Sequence, residues 1–386
     1  MRTIISTVTS RGDLRRFIDL PWRLFDRRRD PQWVPPLRMT VRDAVDRRRN
    51  PFYADADREL FLARQGDRVV GRIAAIENRA HNRFHDDRVG FWGFFECVDD
   101  QEAADALFDA AEGWLRARGL DLLRGPMNPS TNYECGLLTE GFEYRPTFMT
   151  TWNPPYYAQL CERAGHRKAK DLVAYHIPMG DRSWNMPEAF ERLAGRALRK
   201  SGVGFRDLDM RRFDHELEVC WDVYNSAWER NWGFVPMSKD EFVHMARDMK
   251  PLIEPRYAFA AEVDGRTVGF MLAVPDFGGV LQRIGSGRLF PTGALRLVLG
   301  KRGIRELRGM ALGLRPEYRA RGILPLFAWE AYRRGRDRNE VAAEASWILE
   351  DNEPMNRPMV AMGTRIHRRW RVYDREIAAK GAQPSP

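Results

Sequence analysis

The sequence predicts an α/β (α+β) fold of two tandem domains, each a mixed, mostly antiparallel sheet flanked by helices. Three observations carry this reading. The chain repeats its own landmarks at a spacing of about 198 residues. Strand-like apolar runs alternate with helix-period runs in the same order in each copy. A turn signal, Gln65-Gly66-Asp67 or Asp264-Gly265, separates two apolar runs in each copy and marks a hairpin.

The repeat rests on five landmarks. Trp22 within Pro21-Trp22-Arg23-Leu24-Phe25 corresponds to Trp221, and Trp33 to Trp232, each of the latter pair shortly before Val-Pro. The run Leu60-Phe61-Leu62-Ala63 through Val70-Gly71 returns as Ala258-Phe259-Ala260-Ala261 through Val268-Gly269. Asn153, Gly165 and Tyr175 return as Asn352, Gly363 and Tyr373.

Taken in order, a short strand over 3–8, or 204–208, leads into an amphipathic helix starting near Asp13 or Asp214, where aspartate suits an N-cap. The hairpin occupies 59–64 and 68–76, then 257–262 and 266–274. A strand–helix–strand unit follows over 89–98, 102–118 and 121–124, and again over 305–314, 324–338 and 342–349. Such a unit calls for one parallel pair inside an otherwise antiparallel sheet. A helix and a final strand close each copy. The join is placed near Pro178-Met179-Gly180-Asp181, giving domains of 1–180 and 181–386, and the small, polar tail 379–386 is expected to be disordered.

Hydrophobic residues make up 44% of the 386 residues and charged residues 30%, enough apolar material for real cores. The net charge of +9 favours phosphate groups or an anionic membrane surface. No basic block is interleaved with aromatics, so no nucleic acid is expected. Cys97, Cys135, Cys161 and Cys220 lack CxxC spacing, against a disulfide framework or zinc ribbon. His81 and His85 stand four apart without a third ligand, and no metal is expected. Residues 1–13 lack a signal-peptide core, and no run of 18 apolar residues occurs. The expected setting is the cytoplasm, with peripheral contact at the inner membrane.

The segment that carries chemistry runs from Leu312 to Leu324. A strand containing Leu312 and Leu314 enters Arg315-Pro316-Glu317-Tyr318, then Arg319-Ala320-Arg321-Gly322, then a helix. A strand–turn–helix of this kind aims backbone N–H groups at one small volume, at the positive end of a helix dipole. Gly322 allows close backbone approach, and Arg319 and Arg321 add charge. The pattern is a pyrophosphate cradle without the Gly-Lys-Ser/Thr of a Walker loop. The matching turn of the first copy, Glu96-Cys97-Val98-Asp99-Asp100-Gln101-Glu102, would repel phosphate.

At these residues the chain resembles the GNAT superfamily of N-acyltransferases, whose hallmark is a strand, Pro-Glu-Tyr-Arg, then Arg/Gln-x-x-Gly-x-Gly/Ala. Arg319 and Gly322 match fixed positions; Leu324 stands where Gly or Ala is usual. A second hallmark is Asn352, a short helix, Gly363 and a strand ending at Tyr373. Many members place a tyrosine acid seven residues past that Asn; here the residue is Met359. Further runs, among them Asp30-Pro31-Gln32-Trp33-Val34-Pro35 and Ser346-Trp347-Ile348-Leu349-Glu350-Asp351-Asn352, resemble a bacterial group of tandem-GNAT acyltransferases that includes enzymes similar to bacterial ceramide synthases. The resemblance implies acyl-CoA as co-substrate, held by Leu312, Leu314, Arg319, Ala320, Arg321, Gly322, Leu324 and Asn352. It also implies acyl transfer to an amine such as a sphingoid-type long-chain base.

Such a reaction needs a base. Glu344 and Glu350 flank the strand after the cradle, and Glu96 and Glu134 belong to the first copy; Glu350 is the favoured candidate. The loop from Gly125 to Gly136, with Asn128, Asn132 and Glu134, reads either as a substrate loop or as a structural turn. The insertion 278–299 alternates apolar residues with Arg and Lys, and reads as an acyl tunnel, a membrane-facing segment or ordinary packing. Small-molecule N-acetyl transfer, transfer from a charged tRNA and non-catalytic binding are the competing functions.

Overall fold

Asp264 and Gly265 both adopt positive φ, 50° and 75°, the backbone a tight hairpin needs. They join Ala258–Val263 to Arg266–Pro275 in the ladder the alternating apolar pattern predicts. The computed structural model describes residues 2–180, 184–338 and 340–377. Asp181 of the expected join and the tail 379–386 lie outside the described residues.

Two units emerge, and neither is one continuous stretch of chain. The first comprises residues 1–171, 278–298 and the segment from Trp370 onward; the second comprises 172–277 and 299–369. A single cut at 180 differs from this division in two ways. The second part of the strand closing each copy, 172–177 or 370–376, lies in the other copy's unit, and 278–298 belongs with the first unit. Strand pairing explains the exchange: Tyr373–Glu376 pair with the first unit's Leu122–Gly125, and Leu172–Ile177 pair with the second unit's Ala342–Leu349.

In the first unit, Thr3–Thr7, Ala56–Gln65, Arg68–Asn78 and Val89–Cys97 form an antiparallel ladder. Val89–Cys97 then runs parallel to Leu122–Gly125. The crossover helix, Gln101–Arg116, buries Ala103, Ala104, Leu107, Phe108, Ala111 and Leu115, the helical spacing of one face. That face packs into a core with Trp92, Phe95 and Tyr157. The first helix, Arg11–Asp19, is capped by Ser10 rather than by Asp13. Ser10 Oγ accepts from the Asp13 amide at 3.0 Å and donates to its carboxylate at 2.7 Å, which puts Asp13 in the helix's first turn.

The second unit repeats the plan. Gly204–Asp207, Ala258–Val263, Arg266–Pro275 and Glu306–Leu314 are antiparallel, and Glu306–Leu314 runs parallel to Ala342–Leu349. Phe213–Trp228 starts one residue before the expected Asp214. The crossover helix Leu324–Asp337 buries Leu326, Phe327, Ala328 and Tyr332. Among helices of this unit without a counterpart in the sequence reading are Glu188–Ser201 and Lys239–Met249, whose cap Ser238 accepts from the Glu241 amide.

Candidate active site

In the second unit the parallel pair is short. Glu306–Gly309 pair with Ala342–Ala345, and there the ladder stops. On the other side of Glu306–Leu314, the pairing with Arg266–Pro275 skips Met310, a bulge that bends the strand where its parallel neighbour leaves it. A cavity of about 380 Å³ fills the opening, within the size range of small-molecule sites. Its wall is mostly apolar and includes Trp228, Phe259, Met271, Met310, Trp347 and Met359.

A buried polar cluster interrupts that wall, beside Asn231, Arg319 and Asn352. Glu344 and Ser346 line the cavity and are themselves buried. Ser346 Oγ donates to Glu344 Oε1 at 2.7 Å and accepts from Arg308 Nε at 3.2 Å. Glu344 Oε2 lies 2.9 Å from His367 Nε2 and also accepts from the buried Arg368. A buried carboxylate needs such partners, because desolvation alone would force it neutral. Glu344 and His176 are ladder partners. Burial, and then the neighbouring His367, lower the His176 pKa.

The turn after Glu306–Leu314 winds through Pro316–Arg321 and ends at Gly322, with φ 70°. No atom lies within 4 Å of where a Gly322 side chain would start, so the loop stays open. The helix that follows begins at Leu324 with no side-chain cap, and its cap residue is Ile323. Pro325 carries no N–H and the Leu326 amide donates to the Ile323 carbonyl at 3.0 Å, so the donors suited to an anion are the amides leading up to Pro325. Arg319 lines the cavity and donates to the Ala227 carbonyl at 2.6 Å. The Arg321 guanidinium lies over the Tyr318 ring, 4.7 Å from its centroid.

Of the sequence candidates, Leu312, Leu314, Arg319, Leu324, Glu344 and Asn352 come together in the cavity wall. Ala320, Arg321 and Gly322 lie in the adjoining turn and are not part of it. Glu350, the favoured base, sits in the turn beyond the strand and does not line the cavity; its carbonyl accepts from Asn356 Nδ2. Glu134 belongs to the first unit, where it pairs with Asn128. Glu96 is engaged there too: it accepts from the Tyr157 hydroxyl at 2.7 Å and lies 3.4 Å from Arg72, and burial raises its pKa. Met359 lines the cavity where many GNAT enzymes have a tyrosine acid. The tyrosines that do line it are engaged elsewhere. Tyr257 donates to Glu340, and the Tyr332 hydroxyl accepts from Arg336.

Sequence reasoning missed Arg308, Ser346, His367 and Arg368. The available signal was charge at strand positions with buried neighbours: Arg308 and Glu344 oppose each other as parallel ladder partners.

The first unit carries the same strands with the opening closed. The repeat register sets Trp92, partner of Ala75, at the place of Gly309, partner of Ala273. Trp92 is fully buried there. Arg124 stands at the place of Glu344 and is held by Asp374 through two bonds of 2.8 Å, as Asp374 takes the place of His176. Asn128 Oδ1 accepts from the Phe94 amide at 2.6 Å, so the Gly125–Gly136 loop plugs the bulge rather than lining an opening. The crossover helix is capped by Asp100, which accepts from the Glu102 and Ala103 amides. A carboxylate thus occupies the helix start that an anion would need. None of 278–299 is among the residues that line the second unit's cavity.

The chain is 35% identical to the bacterial ceramide synthase of Caulobacter vibrioides over 381 residues, 96% of each chain. It is 32% identical to protein YghO of Escherichia coli K12, covering 97% of this chain and 95% of that one. The chain belongs to the tandem-GNAT acyltransferases. No family model matches it. Among solved structures, a tandem GNAT protein from the clavulanic acid biosynthesis pathway superposes with a TM-score of 0.55 at 12% identity, over 98% of this chain and all of that one. A GCN5-related N-acetyltransferase from Sphaerobacter thermophilus gives 0.53 at 12% identity, over 98% and 96%. At such identities the likeness concerns the tandem-GNAT fold, which alone does not specify a substrate.

Proposed function

We propose that the second unit transfers a long-chain acyl group from acyl-CoA to the amine of a sphingoid-type long-chain base. The observation that carries this reading is the buried Glu344–Ser346 pair in the wall of an apolar cavity whose wall also includes Arg319 and Leu324 of an uncapped helix start. Arg319 and the amides leading up to Pro325 bind the pyrophosphate of the co-substrate. Backbone amides of Met310–Leu314, a stretch without a parallel partner, face the thioester carbonyl and stabilise its oxyanion. Glu344 takes the proton of the ammonium, with Ser346 and Arg308 holding the carboxylate in place. The amine nitrogen then bonds to the acyl carbon, the carbon–sulfur bond breaks, and the second proton of the nitrogen passes through solvent to the departing thiolate.

A long acyl chain fits the apolar wall. Each methylene buried contributes about 0.8 kcal/mol, so ten of them outweigh the entropy of ordering the chain. The relative named bacterial ceramide synthase supports an amphiphilic amine as acceptor. Both substrates are then amphiphiles, and contact with an anionic membrane surface forms part of the reading.

The test is to incubate purified protein with palmitoyl-CoA and a long-chain amine, and to follow amide and free thiol by mass spectrometry. The reading predicts stoichiometric amide and thiol, with palmitoyl-CoA preferred over acetyl-CoA at least tenfold in kcat/KM. Equal or faster transfer from acetyl-CoA would replace it with small-molecule N-acetyl transfer. No amide from any donor would overturn it.

A further inference from the structure

We infer that residues 288–302 form a docking site for an anionic phospholipid surface. This deepens the membrane contact in the reading above, but its test reads binding rather than catalysis, so each can fail alone.

The helix Gly293–Lys301 turns its apolar face outward. Leu295, Val298 and Leu299 are 61%, 68% and 55% exposed. Their spacing of three and four residues places them on one side of the helix. Phe290, just ahead of the helix, is 80% exposed. A surface helix of a globular protein buries this stripe, and single exposed apolar residues are ordinary, but four within ten residues form a patch.

Charge decides what covers it. From Phe277 to Arg305 the chain has no Asp or Glu, yet it carries Arg283, Arg288, Arg296, Lys301, Arg302 and Arg305. Arg288, Arg296 and Arg302 are exposed around the patch. An apolar stripe flanked by cations is the arrangement that lies in the headgroup region of an anionic bilayer, apolar side chains down and cations among the phosphates.

The chain just ahead of the segment is anchored. Trp22 Nε1 donates to the Gly285 carbonyl at 2.8 Å, and Arg38 donates to Ser286 and Gly287 carbonyls through its side chain and amide at 2.8 and 2.9 Å. Gln282 Nε2 donates to the Trp33 carbonyl at 3.1 Å. Arg296 Nη1 ties the helix back to the Arg283 carbonyl at 2.9 Å, which limits the entropy lost on docking.

The experiment is co-sedimentation of the full chain with vesicles of phosphatidylcholine alone, or of phosphatidylcholine with phosphatidylglycerol, at low and high salt. Binding to the anionic vesicles should exceed binding to the neutral ones at least tenfold and weaken with salt. The pair Leu295→Asp and Val298→Asp should cut it at least tenfold, as should Arg288→Glu with Arg296→Glu, with circular dichroism unchanged. If one pair fails to fold, the other still decides. No binding to anionic vesicles, equal binding to both kinds, or variants that bind like the parent would overturn the inference. So would a dimeric parent chain that the Leu295 and Val298 changes convert to monomer, since the patch would then meet a second copy.

Discussion

At the scale of single residues, the proposed chemistry rests on Glu344. Its carboxylate is surrounded by donors from Ser346, His367 and Arg368 and still reaches the cavity wall. Glu344→Gln keeps the shape and removes the base, and kcat should fall about 10²- to 10⁴-fold while the co-substrate affinity holds, measured by turnover and calorimetry. Unchanged turnover would remove Glu344 from the chemistry. A second residue makes a prediction about stability. His166 is buried against Phe108 and Trp92, neither ring nitrogen finds a hydrogen-bond partner among the described residues, and burial lowers its pKa from 6.5 to about 3. Because the unfolded chain takes up this proton first, the stabilising effect of neutral His166 is complete above about pH 6.5 and is lost as pH falls toward 3. His166→Phe should therefore flatten the fall in Tm between those limits. An unaltered Tm-against-pH curve would show that His166 does not drive acid sensitivity.

At the scale of elements, the two copies differ in how they treat one strand opening. A side chain on Gly93 would start 1.7 Å from the Met127 carbonyl oxygen, which is backbone and cannot rotate away. Around Gly309 the nearest atom to such a side chain is the Glu344 carbonyl oxygen at 3.6 Å, ordinary contact. Gly93→Ala should cost about 3 kcal/mol or more, and Gly309→Ala under about 1 kcal/mol, by denaturant unfolding. Similar costs at both positions would contradict a plugged first opening and an empty second one. The strand–turn–helix was legible in the sequence because it is contiguous: Arg319, Gly322 and the helix start need no distant partner to be recognised. The surroundings of the proposed base were not. Glu344 and Glu350 stand six residues apart, and only the end of the strand decides which reaches the cavity. Glu344 lies on the paired part of the strand, and its distant partners His367 and Arg368 leave no local trace.

At the scale of the whole molecule, the repeat was legible because five landmarks share one spacing. The exchange of closing strands was not, since a strand's alternation states which face is buried but not which neighbour it pairs with. The placement of 278–298 in the first unit was hidden for the same reason, as its anchors Trp22, Arg38 and Gln282 meet only in three dimensions. The proposed function assigns the work to one copy. Trp92, Arg124 and Asp100 replace the space, the carboxylate and the uncapped helix start that Gly309, Glu344 and Ile323 provide in the second unit. Calorimetric titration of the full chain with coenzyme A tests this most directly. One site per chain is expected, weakened about tenfold to a hundredfold by Arg319→Glu with the fold intact, through the loss of charge-assisted bonds to phosphate. Two sites per chain, or one site with its affinity unchanged in Arg319→Glu, would contradict it.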